Sequence, residues 1–191
     1  MLARNEKKLE QIGLLRTIAE DEIELMRVWR NAPSVRANMY TRHEISVDEH
    51  QNWWSRIRLQ NDQCYLMYEL AGKQHGIVAF TNINEANKNS SWAFYASPNA
   101  PKGTGSKMEF LALDYAFSLL SLHKLQCEVL AFNTKVITLH QKFGFKIEGV
   151  FREQHLVEDV FTDIYRLSLF ASEWAVHRSQ MDAKIAAFSQ D

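Results

Sequence analysis

The sequence predicts a single α/β (α+β) domain, a central mixed, mostly antiparallel sheet flanked by helices. Three observations predict it. Alternating and 3.6-period apolar patterns follow one another in the order β-α-α-β-β-β-α-β-α-β-β. No repeat, low-complexity stretch or linker divides the chain. A length of 191 residues with 46% hydrophobic side chains supplies one ordinary core and no second. The domain is therefore expected over residues 1–191, with its core over about 12–170 and a closing helix over about 172–188.

Ile12 to Ile18 reads as a short first strand. A helix follows, with Asp21 near its start and Ile23, Met26 and Arg30 on one side. Asn31-Ala32-Pro33 ends it, because a residue before proline avoids helical dihedrals. Ser46 opens the next helix through a capping box with Glu49, and His50, Trp53, Trp54 and Ile57 share one face. Cys64 to Leu70 and Gly76 to Ile83 read as a hairpin across the loop Ala71 to His75. Ser91 to Ala96 follows a polar turn as a further strand. Met108, Leu111, Ala112, Tyr115, Ala116, Leu119 and Leu120 then keep helical spacing over three turns.

The second half repeats the alternation. Leu125, Cys127, Val129 and Ala131 alternate with polar residues, as in a half-buried strand. Asn133-Thr134 starts a short helix that Gly144 ends in the manner of a left-handed cap. Phe145 to His155 and Val160 to Phe170 read as an antiparallel pair. Ser172 to Phe188 is expected to be an amphipathic helix, partly free at its end.

Composition excludes several classes. With 22 basic and 23 acidic side chains, the chain carries no broad basic surface for nucleic acid. No apolar run approaches the ~20 residues that span a bilayer. Met1 to Gln11 has no apolar leader segment, so a cytoplasmic protein is expected. Cys64 and Cys127 read as small buried hydrophobes, with no convincing Cys/His pair. CxxC and HExxH are absent, so no metal is indicated.

Two segments carry chemistry. The first is Pro101-Lys102-Gly103-Thr104-Gly105-Ser106-Lys107, which follows a strand and opens the long amphipathic helix. Glycines let a ligand approach the backbone, and the first free N–H groups of the helix favour an anion such as pyrophosphate. Lys102 and Lys107 would add charge. Alone, the same loop also reads as an ordinary strand-to-helix turn. The second segment is Asn133 followed by Leu139-His140-Gln141-Lys142-Phe143-Gly144-Phe145.

Together these segments resemble the GNAT superfamily of acetyl-CoA-dependent N-acetyltransferases. That family has a loop of the form Gln/Arg-x-x-Gly-x-Gly/Ala before its central helix and a downstream Asn-x-x-Ala-x-x-x-Tyr-x-Lys-x-Gly-Phe segment. Ala100 stands here where Gln or Arg is usual, and His140 where Tyr is usual. The resemblance implies a splayed sheet, acetyl-CoA as co-substrate and direct attack of an amine on the thioester. Phe94, Tyr95 and Ala96 would pair with the pantetheine arm. Lys102, Gly103, Thr104, Gly105, Ser106 and Lys107 would hold the pyrophosphate, Asn133 would meet the pantetheine, and Phe143 would pack beside the CoA. His140 would act as general acid to the leaving thiolate, which a group of pKa about 6.5 can do. It also reads as an inert buried histidine.

The acceptor is expected to lie on the first two helices and the loop between them. Trp29-Arg30-Asn31, Met39-Tyr40-Thr41, His50 and the strand Gly76 to Ile83 resemble the branch that acetylates the 4-amino group of a UDP-linked 4-amino-4,6-dideoxy sugar, on the route to pseudaminic acid and flagellin glycosylation. Arg30 would bond phosphate oxygens, and Met39, Tyr40 and Trp53 would surround the sugar's methyl group and ring. His50, Thr81 and Tyr95 would offer hydrogen bonds. Met39 and Trp53 also read as core residues, and Arg30 as the partner of a surface carboxylate. Residues 29–43 hold Arg30, Arg36 and Arg42 and no Asp or Glu, which favours an anionic acceptor over a polyamine or a ribosomal-protein N-terminus. A CoA-binding domain without catalysis is the reading that Ala100 and His140 motivate. The base is unassigned: water relayed by backbone carbonyls or by a side chain such as Thr81 suffices, and Glu85 and His75 qualify by type alone. An edge strand or the last helix is open to pairing in a homodimer.

Overall fold

Antiparallel pairing joins β1 (Leu14–Thr17), β2 (Cys64–Leu70), β3 (Lys73–Asn84) and β4 (Asn89–Ala96) in chain order. β5 (Lys124–Leu130) lies parallel to β4, β7 (Val160–Phe170) runs antiparallel to β5, and β6 (Lys146–Val157) closes the far edge. The result is one seven-stranded sheet in the order β1-β2-β3-β4-β5-β7-β6. This computed structural model describes residues 11–188, with side chains to 185. The first ten residues, on which the expectation of no leader rests, lie outside the described residues. Among those described, no helix is long and apolar enough to cross a membrane.

The two faces of the sheet are covered differently. Successive strand residues point to opposite faces, so Leu66, Tyr68, Val78 and Phe80 enter one cluster while Met67 and Ile77 enter another. On the first face lie α4 (Thr104–Asp114), α5 (Thr134–Lys142) and α6 (Ala171–Phe188), contributing Met108, Phe110, Leu113, Ile137, Trp174, Met181 and Ile185. On the second, Met26 and Trp29 of α1 (Ile23–Asn31) cover Met67 and Ile77, with Trp53 and Trp54 of α3 (Val47–Ile57) packed alongside.

Several elements depart from expectation. Ala32 is extended (ψ 133°) as the residue before proline should be, but Pro33 then begins a further helical turn, α2 (Pro33–Arg36). Proline is tolerated there because the first helical N–H has no partner to lose. The β2–β3 turn contains only Ala71 and Gly72, both with positive φ (50° and 73°), a pairing that suits the twist of a hairpin. β3 therefore begins at Lys73 rather than Gly76. The helix expected through Leu120 widens into a π turn over Tyr115–Leu119. The capping box at Ser46 is half made. Ser46 Oγ accepts from the Glu49 N–H at 3.1 Å, but the Glu49 carboxylate turns to His43 Nε2 at 3.0 Å. α6 is anchored in its first half, where Trp174 Nε1 and the Arg178 guanidinium both donate to Asp114, at 3.1 and 2.7 Å; the expectation of a partly free end falls beyond the described side chains.

A second polar anchor joins the start of α1 to the sheet edge. Arg16 of β1 bonds Glu22 at 2.6 and 2.7 Å and Glu69 of β2 at 2.7 Å. Glu22, just before α1, also accepts from Ala19 N and Gln74 Nε2. The Arg16 hydrogen bonds hold its carboxyl down at about 2.

Candidate active site

β4 and β5 pair only from Asn89↔Lys124 to Ser91↔Gln126. Beyond Trp92 they part, β4 continuing on β3 and β5 on β7. The separation leaves the β5-facing backbone edge of Trp92 to Ala96 unpaired. A cleft of about 430 Å³ opens there, walled by Phe94, Tyr95, Ala96, Cys127, Val129, Asn133 and His140. A free strand edge can accept an extended, amide-bearing ligand as an added strand. The Asn133 side chain does not cap α5, so it is left for the cleft.

The glycine loop meets the start of α4. Gly103 takes φ +86° as the residue before the helix, a conformation that L side chains rarely adopt. The amides of Gly105 and Ser106 find no backbone acceptor, as expected of a first helical turn. Two expected contributors are otherwise engaged. Thr104 is buried, and both its N–H and its hydroxyl donate to Pro101 O, at 3.1 and 2.7 Å, so it closes the turn instead of facing a ligand. Lys107 donates to Gln11 O at 2.7 Å, and only Lys102 stays exposed beside the loop. Phe143 is a further correction: it lies in the core, 6.3 Å from the ring of Trp174, and does not line the cleft.

His140 lines the inner end of the cleft and is 2% exposed. Its Nδ1 lies 2.9 Å from Oε1 of Glu109, which is fully buried on α4. Trp92, Phe94 and Phe145 surround the imidazole with ring centres 5.2 to 6.0 Å away. Burial pulls the imidazole down, and the adjacent Glu109 carboxylate more than reverses this, holding it above the usual imidazole value. Burial in turn pushes the Glu109 carboxyl up. Cys127 lines the same cleft beside His140, so the fold brings together a cysteine and a histidine that the sequence does not pair.

On the other face, a cavity of about 590 Å³ lies under α1 and α3. Arg30, Met39, His50, Trp53, Thr81 and Tyr95 all line it, so these expected acceptor residues converge on one site. Among the described residues Arg30 has no carboxylate partner: Nη2 donates to Thr41 O at 3.2 Å, and Nη1 is buried without a hydrogen bond. Its burial lowers its pKa. Burial lowers His50 as well, keeping its ring neutral near neutral pH. Tyr40 is the exception. It stands in the cleft, not this cavity, donating to Glu128 at 3.2 Å with its ring 5.0 Å from His155. The cleft and the cavity share Met39, Ala93 and Tyr95, which mark where donor and acceptor can meet.

Glu109, Cys127, Arg56 and Tyr65 are site residues that sequence reasoning misses. Glu109 carries a signal: it stands on the same helical face as Ala112, Leu113 and Ala116, where a carboxylate is out of place. His75 and Glu85 line neither cavity.

Residues 14–146 match the acetyltransferase (GNAT) domain model. The chain belongs to the GNAT family. It is an acetyl-CoA-dependent N-acetyltransferase, and its fold is that of the family's solved structures. Spermidine N(1)-acetyltransferase of Escherichia coli K12 is 25% identical over 162 residues, covering 84% of this chain and 82% of the relative. Acetyltransferase PseH of Campylobacter jejuni 81-176 is 30% identical over 126 residues, 66% of this chain and 78% of the relative. The crystal structure of Vibrio cholerae spermidine N-acetyltransferase with CoA and spermine superposes with a TM-score of 0.79 at 23% identity, over 84% of this chain and 96% of that one.

Proposed function

We propose that this GNAT enzyme acetylates the 4-amino group of a UDP-linked 4-amino-4,6-dideoxy sugar, in pseudaminic acid biosynthesis leading to flagellin glycosylation. The observation that carries the reading is the charge of the acceptor cavity. Among the described residues, Arg30 and Arg56 line it against a single carboxylate, Glu49, which is already engaged by His43. A polycation would meet two guanidiniums there, whereas a diphosphate would be attracted. Met39, Ile77, Trp53 and Tyr65 supply the apolar wall that a 6-deoxy sugar needs. The resemblance to PseH adds support.

On this reading acetyl-CoA occupies the β4–β5 cleft. The Trp92–Ala96 edge orients the pantetheine arm, and the Gly105 and Ser106 amides with Lys102 hold the pyrophosphate. His140 holds the proton that the departing thiolate takes up. The amine sits at the Met39–Ala93–Tyr95 junction and loses its proton to water, so no covalent enzyme intermediate is needed.

The spermidine acetyltransferases cover more of this chain than PseH does, and they favour a second reading, acetylation of a polyamine. A thiol-release assay with acetyl-CoA separates the two. Turnover with UDP-4-amino-4,6-dideoxy-N-acetyl-β-L-altrosamine and none with spermidine is the expected result. The reverse pattern overturns the amino-sugar assignment.

A further inference from the structure

The Glu109–His140 pair is a buried ionisable group that the reaction outlined above uses at only one end. Glu109 is wholly buried, its Oε2 finds no partner among the described residues, and it meets the cleft through His140. Keeping a carboxylate in an apolar layer between Met108 and Phe110 is costly unless a partner compensates it. The groups facing His140 are few. Glu109 comes from α4 and Cys127 from β5, while Trp92 and Phe94 from β4 and Phe145 after α5 are apolar or ring contacts.

We propose that Glu109 is a positioning residue for His140, fixing the ring so that Nε2 is the nitrogen carrying a proton for the cleft. This rests on His140 acting as the acid. The geometry makes the consequence independent of where the shared proton lies. If Glu109 is ionised, Nδ1–H donates to it and Nε2–H is also present, giving an imidazolium. If Glu109 is protonated, it donates to Nδ1 of a neutral ring whose hydrogen is then on Nε2. In both forms the pair is net neutral and Nε2 is the donor. A histidine without this carboxylate would be free to place its hydrogen on Nδ1 and to lose its second proton in the buried site.

The step balances. The amine nitrogen forms a bond to the acetyl carbon, the carbon–sulfur bond breaks, and its electron pair goes to sulfur. The Nε2 proton passes to sulfur to give the CoA thiol. The pair is left as a neutral imidazole whose Nδ1–H donates to ionised Glu109, and it regains one proton from solvent. The amine gives its own proton to water, so protons are conserved over the cycle. The raised imidazole pKa agrees with this arrangement, since the pair then stays loaded through neutral pH.

The test is Glu109→Gln, compared with His140→Phe. The first readout needs no substrate: NMR of the ¹⁵N-labelled imidazole of His140 in the free protein across pH 5 to 10. Wild-type His140 should show no titration below pH 8, and Glu109→Gln should titrate below pH 7. The second readout is the pH profile of kcat. Glu109→Gln should lose about tenfold or more at pH 8 and recover towards acid pH, with KM for acetyl-CoA within about twofold of wild type. A Glu109→Gln protein with wild-type titration and profile overturns the proposal, and leaves the acid role standing if His140→Phe is slow. His140→Phe turning over at the wild-type rate across the range removes the acid role and this inference with it. Unfolding is checked by the dispersion of the same NMR spectra, and Glu109→Asp provides a second variant that keeps the charge. Its pH profile should lie nearer to wild type than that of Glu109→Gln, and a profile matching Glu109→Gln overturns the role of the charge.

Discussion

The cleft between β4 and β5 offers chiefly backbone: the unpaired edge of Trp92–Ala96 and the amides of Gly105 and Ser106. The cavity under α1 and α3 offers side chains: Arg30, His50, Trp53, Thr81 and Tyr65. Backbone groups are set by the fold and recognise a ligand common to a family. Side chains change one at a time and recognise a ligand particular to a member. The difference explains why the GNAT signature lies in the glycine loop and α5, and why spermidine acetyltransferases and PseH can share it.

Substitutions can break that contrast, beginning with the largest effect. His140→Phe is expected to lower kcat about a hundredfold while acetyl-CoA binding persists, measured by thiol release and by calorimetric titration. Equal loss of binding would mean that the ring holds the cleft open instead of supplying a proton. Ser106→Glu puts a carboxylate at the free amides of α4 and should raise KM for acetyl-CoA roughly 10- to 100-fold, with KM for the acceptor unchanged. Arg30→Ala is the mirror experiment: KM for the sugar nucleotide rises about tenfold and that for acetyl-CoA stays. Loss of both together would erase the distinction between the two sites.

The smallest effect concerns stability. Glu22 tethers the start of α1, one wall of the larger cavity, to the sheet edge. Its folded pKa of about 2 lies below the ordinary carboxylate value. The stabilisation is therefore complete above about pH 4.5 and is lost as pH falls through about 2. Glu22→Gln should cost about 2 kcal/mol at pH 7, a Tm decrease of about 4–8 °C. The gap to wild type should close on acidification, followed by thermal melts at stepped pH. A gap that persists at pH 2 would assign the cost to packing.

Much of the site was legible because its signals are local. The glycine loop announces a helix N-terminus, and Asn133 with His140 announces the second half of the cleft. His50 and Trp53 share one helical face and Arg30 lies on one face of α1, and the three do meet in one cavity. Local patterns fail where tertiary contact sets a side chain's direction. Thr104 and Lys107 have the right chemistry for phosphate, yet the Pro101 and Gln11 carbonyls capture them. Phe143 belongs to the core because α6 brings Trp174 over it. Tyr40 turns to Glu128 across 88 positions of chain, a distance that no periodicity spans. The Glu109–His140 contact joins two helices and is invisible until both pack on one face of the sheet.

Met39, Ala93 and Tyr95 form a party wall, belonging to both chambers at once. On the proposed assignment, any change of volume there is felt on both sides, so these positions are poor places to alter the choice of amine without disturbing the thioester. Tyr95 is further constrained by its hydroxyl, which reaches the Met26 carbonyl of α1. Diversification towards new acceptors is thus channelled to the outer wall, where Arg30, His50, Trp53, Arg56 and Thr81 can vary without opening a passage between the chambers.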